Sequence, residues 1–550
     1  MAQQQQNIAM NSPGYFGLNL EDSPVDLPFE YATVADNAVI DSLGRLATRA
    51  GIKDITPSGL ASGDYDIQSL GRIVDGSTVR FIAGVDVGGT PELWEFSTLA
   101  SDSPSRTVLT LPGGYTLPTA NVQIIDFGGR GIIIVPGAEM LVLTGGALVK
   151  ASAQASWIPP TAVGGTAIHT TFSPNCGVSA YGRLWVSGVE DDYETIYYSD
   201  VLNPASWLDL QAVPTDPLNT GGALNVSENW SNGKDTIMGL AAHNNNLVVF
   251  GRSSILVWGN PQGDPAATGG IFLADTIENI GLVDRDAITS DGRDVLFMDD
   301  TGLRSLGRTI QEQSAAVGDL TRPVRRAIST DLRKALLAGG VELVYSPKHS
   351  FVLIILRGAN VVWVADTRIK MQDGSYRITK WPAVAASTAL YIEESERLVL
   401  GLCATDYALG RYSEDDNTDY NGSYVFEYES PILSFGDSSR LKIVKQVDYQ
   451  VLSSGTVDTE AEALVNYYGQ RNRDLSKRFT VVKAQGTVEY TDIEYNEGAE
   501  YGIGASVLKT YRYNAGSSGE RVQVGLKIPV SGTSCSLVGI NLQTKIGRIL

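Results

Sequence analysis

Imidazole is the side chain whose unperturbed pKa lies nearest neutrality, so His169, His243 and His349 come first when acid–base chemistry is sought. They stand far apart, and two of them border expected turns, where a solvated loop residue is the plainer reading. The chain holds no G-x-S-x-G elbow, no H-E-x-x-H pair and no Walker A loop. "SNGKD" from Ser231 lacks the upstream glycine of a phosphate loop, and "DFGGRG" from Asp126 reads as a hairpin turn with no helix behind it. "NTDYNGSYVFEY" from Asn417 approaches a calcium loop, with Asn417, Asp419, Asn421 and Gly422 in place. Its twelfth position is Tyr428 where a bidentate Glu is needed, and an acidic solvated hairpin is the better account. Adjacent carboxylates, Asp191 with Asp192 and Glu393 with Glu394, would suit a glycosidase. Among 62 acidic residues such neighbours arise without a catalytic reason. The three cysteines, Cys176, Cys403 and Cys535, match no metal spacing and read as free thiols. No catalytic residue, cofactor site or metal site is expected.

The elements that must carry these residues are strands. With 58 Gly, 24 Tyr and many short Val- and Ile-rich runs between turns, the chain is expected to be all-β. One segment departs from this: residues 319–337 put Val324, Ile328, Leu332 and Leu336 at helical spacing behind Thr321 as N-cap and Pro323 in the first turn. A unit of strand, tight turn, apolar strand, turn and strand recurs through the chain. One turn residue per unit gives Gly76, Gly129, Gly182, Asn245, Gly292, His349 and Glu396. Units of ~40–50 residues with about four strands each are the mark of a β-propeller. Six or seven blades are expected, and a stack of Greek-key sandwiches would not space its turns so evenly. After residue 429 the strands alternate, as in "ALVNYYG" and "RVQVGLKIPV", which predicts a separate antiparallel sandwich. The expected division is an arm and first hairpin over 1–51, a propeller over 52–430 with its helix near 321–337, and a β domain over 431–550.

Charge narrows the function. The net charge of −20 repels a phosphate backbone, which argues against a sequence-reading DNA binder. No apolar run nears the ~20 residues of a membrane helix, and the N-terminus lacks the basic and apolar regions of a secretory signal.

Residues 17–51 carry a more specific pattern: Gly17 and Asn19, Ser23-Pro24, Leu27-Pro28, Asn37, a hairpin at Gly44-Arg45, then Arg49 and Gly51. This segment resembles the N-terminal part of the tail nozzle proteins (tail tubular protein B) of short-tailed bacteriophages. "NIGLVDRDAITSDGRDVLFMDDTGLRSL", the helix followed by "VYSPKHSFVLIIL", and "SPILSFGD...RLKIVKQV" are similar to the same family. The resemblance implies a structural virion protein, assembled in the host cytoplasm. It would form a homohexameric ring below the tail adaptor, with tail fibres nearby and double-stranded DNA passing through the lumen unread. It implies no catalytic residue. On that basis 1–51 is an assembly handle that includes Asn37, Gly44, Arg45 and Arg49. The arm has no core of its own, so removing 1–36 is expected to leave a folded chain that no longer joins the tail. The acidic loops at Asp191 and Asp192, and at Glu414, Asp415, Asp416 and Asp419, are candidates for the channel wall. Two alternatives stay open: a propeller glycosidase, which needs carboxylates converging at the propeller axis, and a receptor-binding protein acting on the host surface.

Overall fold

Every one of the seven turn residues chosen above closes a hairpin between the first and second strands of a small sheet. Gly182 (φ 73°) and Asn245 (φ 62°) show why those residue types recur, since the left-handed region strains other side chains. The computed structural model describes residues 5–549 except 58–59, 61–63, 155, 161–168, 170, 208–219, 232, 264–269, 313–318, 406, 415–416, 421, 436–439, 456, 470–471 and 484–505.

The described strands form seven consecutive antiparallel units, over 64–108, 123–150, 176–225, 237–278, 288–305, 341–382 and 386–413. First strands of blades 7, 1, 2, 3 and 4 touch in turn, as do those of blades 5, 6 and 7. Gly239 of blade 4 backs onto Ile288 of blade 5, so the ring is complete. The fold is a seven-bladed β-propeller. The outermost strand of blade 7 comes from the other end of the chain. Gly51–Asp54 pairs antiparallel with Leu409–Ser413, so the ring closes by hydrogen bonds between distant segments.

Middle strands of the blades lose the alternation of a half-buried sheet. Arg183–Val189 and Phe351–Leu356 are buried throughout, because each blade is covered on both faces by its neighbours. Blade 5 has three strands among the described residues. Its fourth place shrinks to one bridge, Arg304 opposite Asp319, flanked by helices α1 (Leu306–Glu312) and α2 (Arg325–Ala338). Helix α2 buries Ile328 and Leu332, as the spacing requires. It begins behind a 3₁₀ turn, Arg322–Val324, and the Thr321 hydroxyl does not cap it. That hydroxyl donates to Asp319 (2.9 Å) and accepts from the Leu303 amide (3.1 Å).

The sandwich begins earlier than residue 431, because Tyr424–Glu429 already pairs with Arg521–Val530. One sheet runs through Arg473–Val481, Thr459–Tyr468, Arg521–Val530 and Tyr424–Glu429. The other is built on the long pair Arg440–Gly455 and Thr533–Ile549. Alternating burial along Thr459–Tyr468 fits a sheet with one wet face.

The arm is part of these sheets and not a free handle. Gln5–Asn11 pairs with Thr533–Ile549, and Leu46–Thr48 adds to the same strand. Val34–Asp36 bridges Tyr376–Pro382 of blade 6 to Tyr424–Glu429, which makes propeller and sandwich share one continuous sheet. Gly17 (φ 74°) crosses blade 6 so closely that a Cβ there would lie 2.6 Å from the Ile378 carbonyl oxygen. Residues 5–36 have no core of their own but complete a core made by residues several hundred positions away, which argues against the expectation that the chain stays folded without them.

Candidate functional site at the propeller axis

Seven first strands converge on an axis, and charged side chains brought there out of bulk water need a cause. Residues 284–286 form the turn entering blade 5, and Glu342 lies on the first strand of blade 6. Arg357 follows the second strand of that blade. Together they make a largely but not fully buried cluster of three carboxylates and two guanidiniums. Arg285 grips Asp286 with both arms of its fork (Nε–Oδ1 2.9 Å, Nη2–Oδ2 3.0 Å) and also donates to Asn121 Oδ1 at 2.7 Å. Arg357 donates to Glu342 Oε2 (3.0 Å), to Asp286 Oδ2 (3.4 Å) and to the Ser387 carbonyl (2.7 Å). Glu342 Oε1 accepts from the Thr388 hydroxyl at 3.0 Å, and Asp284 Oδ2 accepts from the Val341 amide at 2.7 Å.

Burial and charge pull these carboxyls apart. Burial raises the Glu342 pKa to about 7, outweighing the Arg357 charge. Asp284 is also raised, by burial and then by Asp286. Asp286 is buried as well, but Arg285 and Arg357 together hold it below the ordinary carboxylate range. A neutral acid near an ionised carboxylate is the split that acid–base catalysis uses. The space beside them is small. A cavity of about 240 Å³ is lined by Arg285, Asp286, Glu342, Gln123 and Cys176 among others. A second, of about 120 Å³, lies against Arg357 and Glu342. Both fall below the ~300–1,000 Å³ of ordinary ligand pockets. Cys176 is buried, which pushes its thiol up to about 12 and leaves it unreactive.

The carboxylate pairs picked from the sequence lie elsewhere. Asp192, at the hairpin of blade 3, accepts from the Tyr197 hydroxyl at 2.6 Å, with His169 3.7 Å away, while Asp191 is exposed. Glu394 pairs with Arg72. Glu414 lies against His349 (3.3 Å) and Lys348 (3.5 Å), and the His349 hydrogen bond is the chief cause that lowers its carboxyl to about 2. His349 is not a solvated loop residue; its side chain is 10% exposed and its ring stacks on Phe351.

The handle residues are also engaged within the chain. Arg49 is 1% exposed and forks onto both oxygens of Asp419 (Nη1–Oδ1 2.8 Å). Its Nε donates to Asn37 Oδ1 at 2.9 Å, and Asn37 Nδ2 donates to the Val425 carbonyl at 2.8 Å. Arg49 is therefore buried inside the chain and not displayed on a handle, and Asp419 is engaged by it. Tyr428, at the twelfth position of the calcium-like loop, is buried in the sandwich core. Gly44 and Arg45 close a turn on Asp41, to which Arg45 donates at 2.7 Å. Asp415, Asp416 and Asn421 lie outside the described residues. The axial cluster is what sequence reading missed. Its signal was present in "GLVDRDAI", three charges inside an apolar run, and in Glu342, a lone acid on an apolar strand.

No known family and no curated protein matches the chain. Similar solved structures include the WD40 domain of Neurospora crassa Pan2, at 8% identity and TM-score 0.36, covering 67% of this chain and 96% of that one. The WD40 domain of Toxoplasma gondii coronin is another, at 10% identity and TM-score 0.31, covering 69% and 86%. A Lactobacillus plantarum protein aligns at 10% identity and TM-score 0.34, over 63% and 90%. Scores this low carry no argument, and the propeller rests on the strand order itself.

Proposed function

We propose that this chain is a structural subunit of a short-tailed phage tail, a nozzle protein forming a hexameric ring beneath the adaptor. The observation that carries a structural over an enzymatic reading is the state of the axis. Its carboxyls Asp286 and Glu342 are held by Arg285, Arg357 and Thr388, beside a cavity too small for a sugar chain. On this reading DNA travels between subunits in a ring and not through the narrow axis of a propeller. A net charge of −20 per chain suits such a lumen, because a wall that repels about one phosphate charge per 1.7 Å of duplex lets the polymer slide. The likeness of residues 17–51 to the nozzle family supports the assignment. Fibres and adaptor are then its neighbours, and the virion tail its location.

One observation favours a glycosidase as second reading: Asp286 and Glu342 do converge at the axis with opposed pKa shifts. The discriminating experiment expresses the chain with a candidate adaptor and measures the mass of the assembly, alongside hydrolysis of host surface polysaccharide. A ring that joins the adaptor and hydrolyses nothing supports the nozzle. Turnover abolished by Glu342→Gln in a monomer overturns it.

A further inference from the structure

The charge of helix α2 runs against the rest of the molecule. The chain is acidic overall, yet α2 carries Arg325, Arg326, Arg333 and Lys334 with Asp331 as its one acid, and Arg322 sits in the turn before it. Residues 322, 326, 330, 333, 334 and 337 share one face at helical spacing, and all are exposed. Arg326 and Arg333 have no ion-pair partner among the described residues. Arg322 reaches Asp373 at 3.8 Å, and Lys334 reaches Asp331 at 3.5 Å. Glu21 is turned to the helix start, where it accepts the Arg326 amide, and Lys380 shares Asp331. At the far end of the stripe Leu337 is 91% exposed.

A basic face with an apolar residue at its end fits an acidic protein surface. A polyanion fits less well, because the flanking Glu21, Asp331 and Asp373 and the charge of the whole chain oppose it. The same molecule supplies the complement. The hairpin tip of blade 3 presents Glu190 and Asp191, both exposed and without an ion pair among the described residues, next to Tyr193, 47% exposed. Carboxylates there would meet guanidiniums, and the tyrosine ring would meet Leu337.

We infer that the basic face of α2 docks onto the 190–193 hairpin tip of a second copy of this chain. The two patches sit on different blades, so the contact is head-to-tail and builds rings or filaments, not two-fold dimers. It sharpens the ring reading above but rests on charge and exposure alone. It also assigns Asp191 to a subunit contact and not to a channel wall.

The test uses the pure full-length chain, with no adaptor or DNA, in sedimentation at low and high salt. Wild type should self-associate at low salt and dissociate as salt rises. Arg326→Glu with Arg333→Glu, and separately Glu190→Lys with Asp191→Lys, should each weaken association at least about tenfold. Mixing the two reversed proteins should restore it, which a contact with some other acidic surface would not do. Unchanged circular dichroism and melting establish that both variants are folded; Arg326→Gln with Arg333→Gln serves if one is not. A wild type that stays monomeric at low salt, or reversed variants that associate as wild type does, overturns the proposal. Neither result bears on whether the chain belongs to a tail.

Discussion

Arg49 and Asp419, 370 positions apart, meet in a two-pronged ion pair whose arginine is almost fully buried. The guanidinium also lies 4.0 Å from the ring centroid of Tyr424, on the first described strand of the sandwich sheet after the propeller. Asp419 follows blade 7, and Arg49 precedes the strand that closes it. One pair therefore ties ring closure to the sandwich.

Asp419→Ala leaves a buried cation without its partner, and should cost about 3 kcal/mol. Replacing both partners, Arg49→Met with Asp419→Leu, should cost less than that single change, because no charge is then stranded. Urea unfolding of the two variants beside wild type checks this. A single-variant loss under about 1 kcal/mol would show that the pair is dispensable.

Glu342 gives the fold a pH dependence of definite sign. Its folded pKa, about 7, lies above the ordinary carboxyl value of 4.5, so the folded state holds a proton that the unfolded state releases. Stability from this group is full below the unfolded value and is lost as pH rises through about 7. Asp284, Asp286, Arg285 and Arg357 face it from the same cluster, and Asp286 acts in the opposite direction. Glu342→Gln should remove the decline between pH ~5 and ~8, read as the difference between variant and wild-type melting midpoints. Parallel curves would show that Glu342 ionises as it would in water.

The architecture was legible wherever a local signal repeats. The turn residues from Gly76 to Glu396 mark all seven first hairpins because tight turns need particular backbone angles. The α2 spacing survived because three of its apolar residues face one core. What escaped was long-range. Nothing local to Asn37 or Arg49 announces a partner at Val425 or Asp419, so exposed-looking residues near the N-terminus read as a handle when they are buried glue. The axial cluster escaped for the same reason, since Asp286, Glu342 and Arg357 become neighbours only when a ring of first strands brings them to one line.

Removing residues 1–18 should destabilise the chain and promote aggregation. It strips Gln5–Asn11 from Thr533–Ile549 and so exposes a strand edge. It also removes the Tyr15 ring, which lies 5.0 Å from the buried Arg377 guanidinium. A lowered melting midpoint and faster proteolysis within the sandwich are the expected results. A truncated chain as stable as the full one would restore the view of this segment as a detachable arm.

Ring closure can be probed where the two ends of the propeller touch most closely. Gly410 lies on the strand that pairs with Gly51–Asp54, and a Cβ there would come 2.4 Å from Ile52 Cγ2. Ile52 is branched at Cβ and fully buried, so it cannot swing aside. Gly410→Ala should therefore cost about 1–3 kcal/mol by overpacking. Ile52→Ala should cost about 2–5 kcal/mol by leaving a cavity. The added methyl partly fills the cavity that the second change makes, so the double variant should be more stable than the two losses predict when added. That positive coupling, measured as a double-mutant cycle in urea, is the signature of direct contact. Strict additivity would mean that the first and last propeller strands are not pressed together at this point, and that the ring is held closed by the Arg49 pair and the sandwich instead.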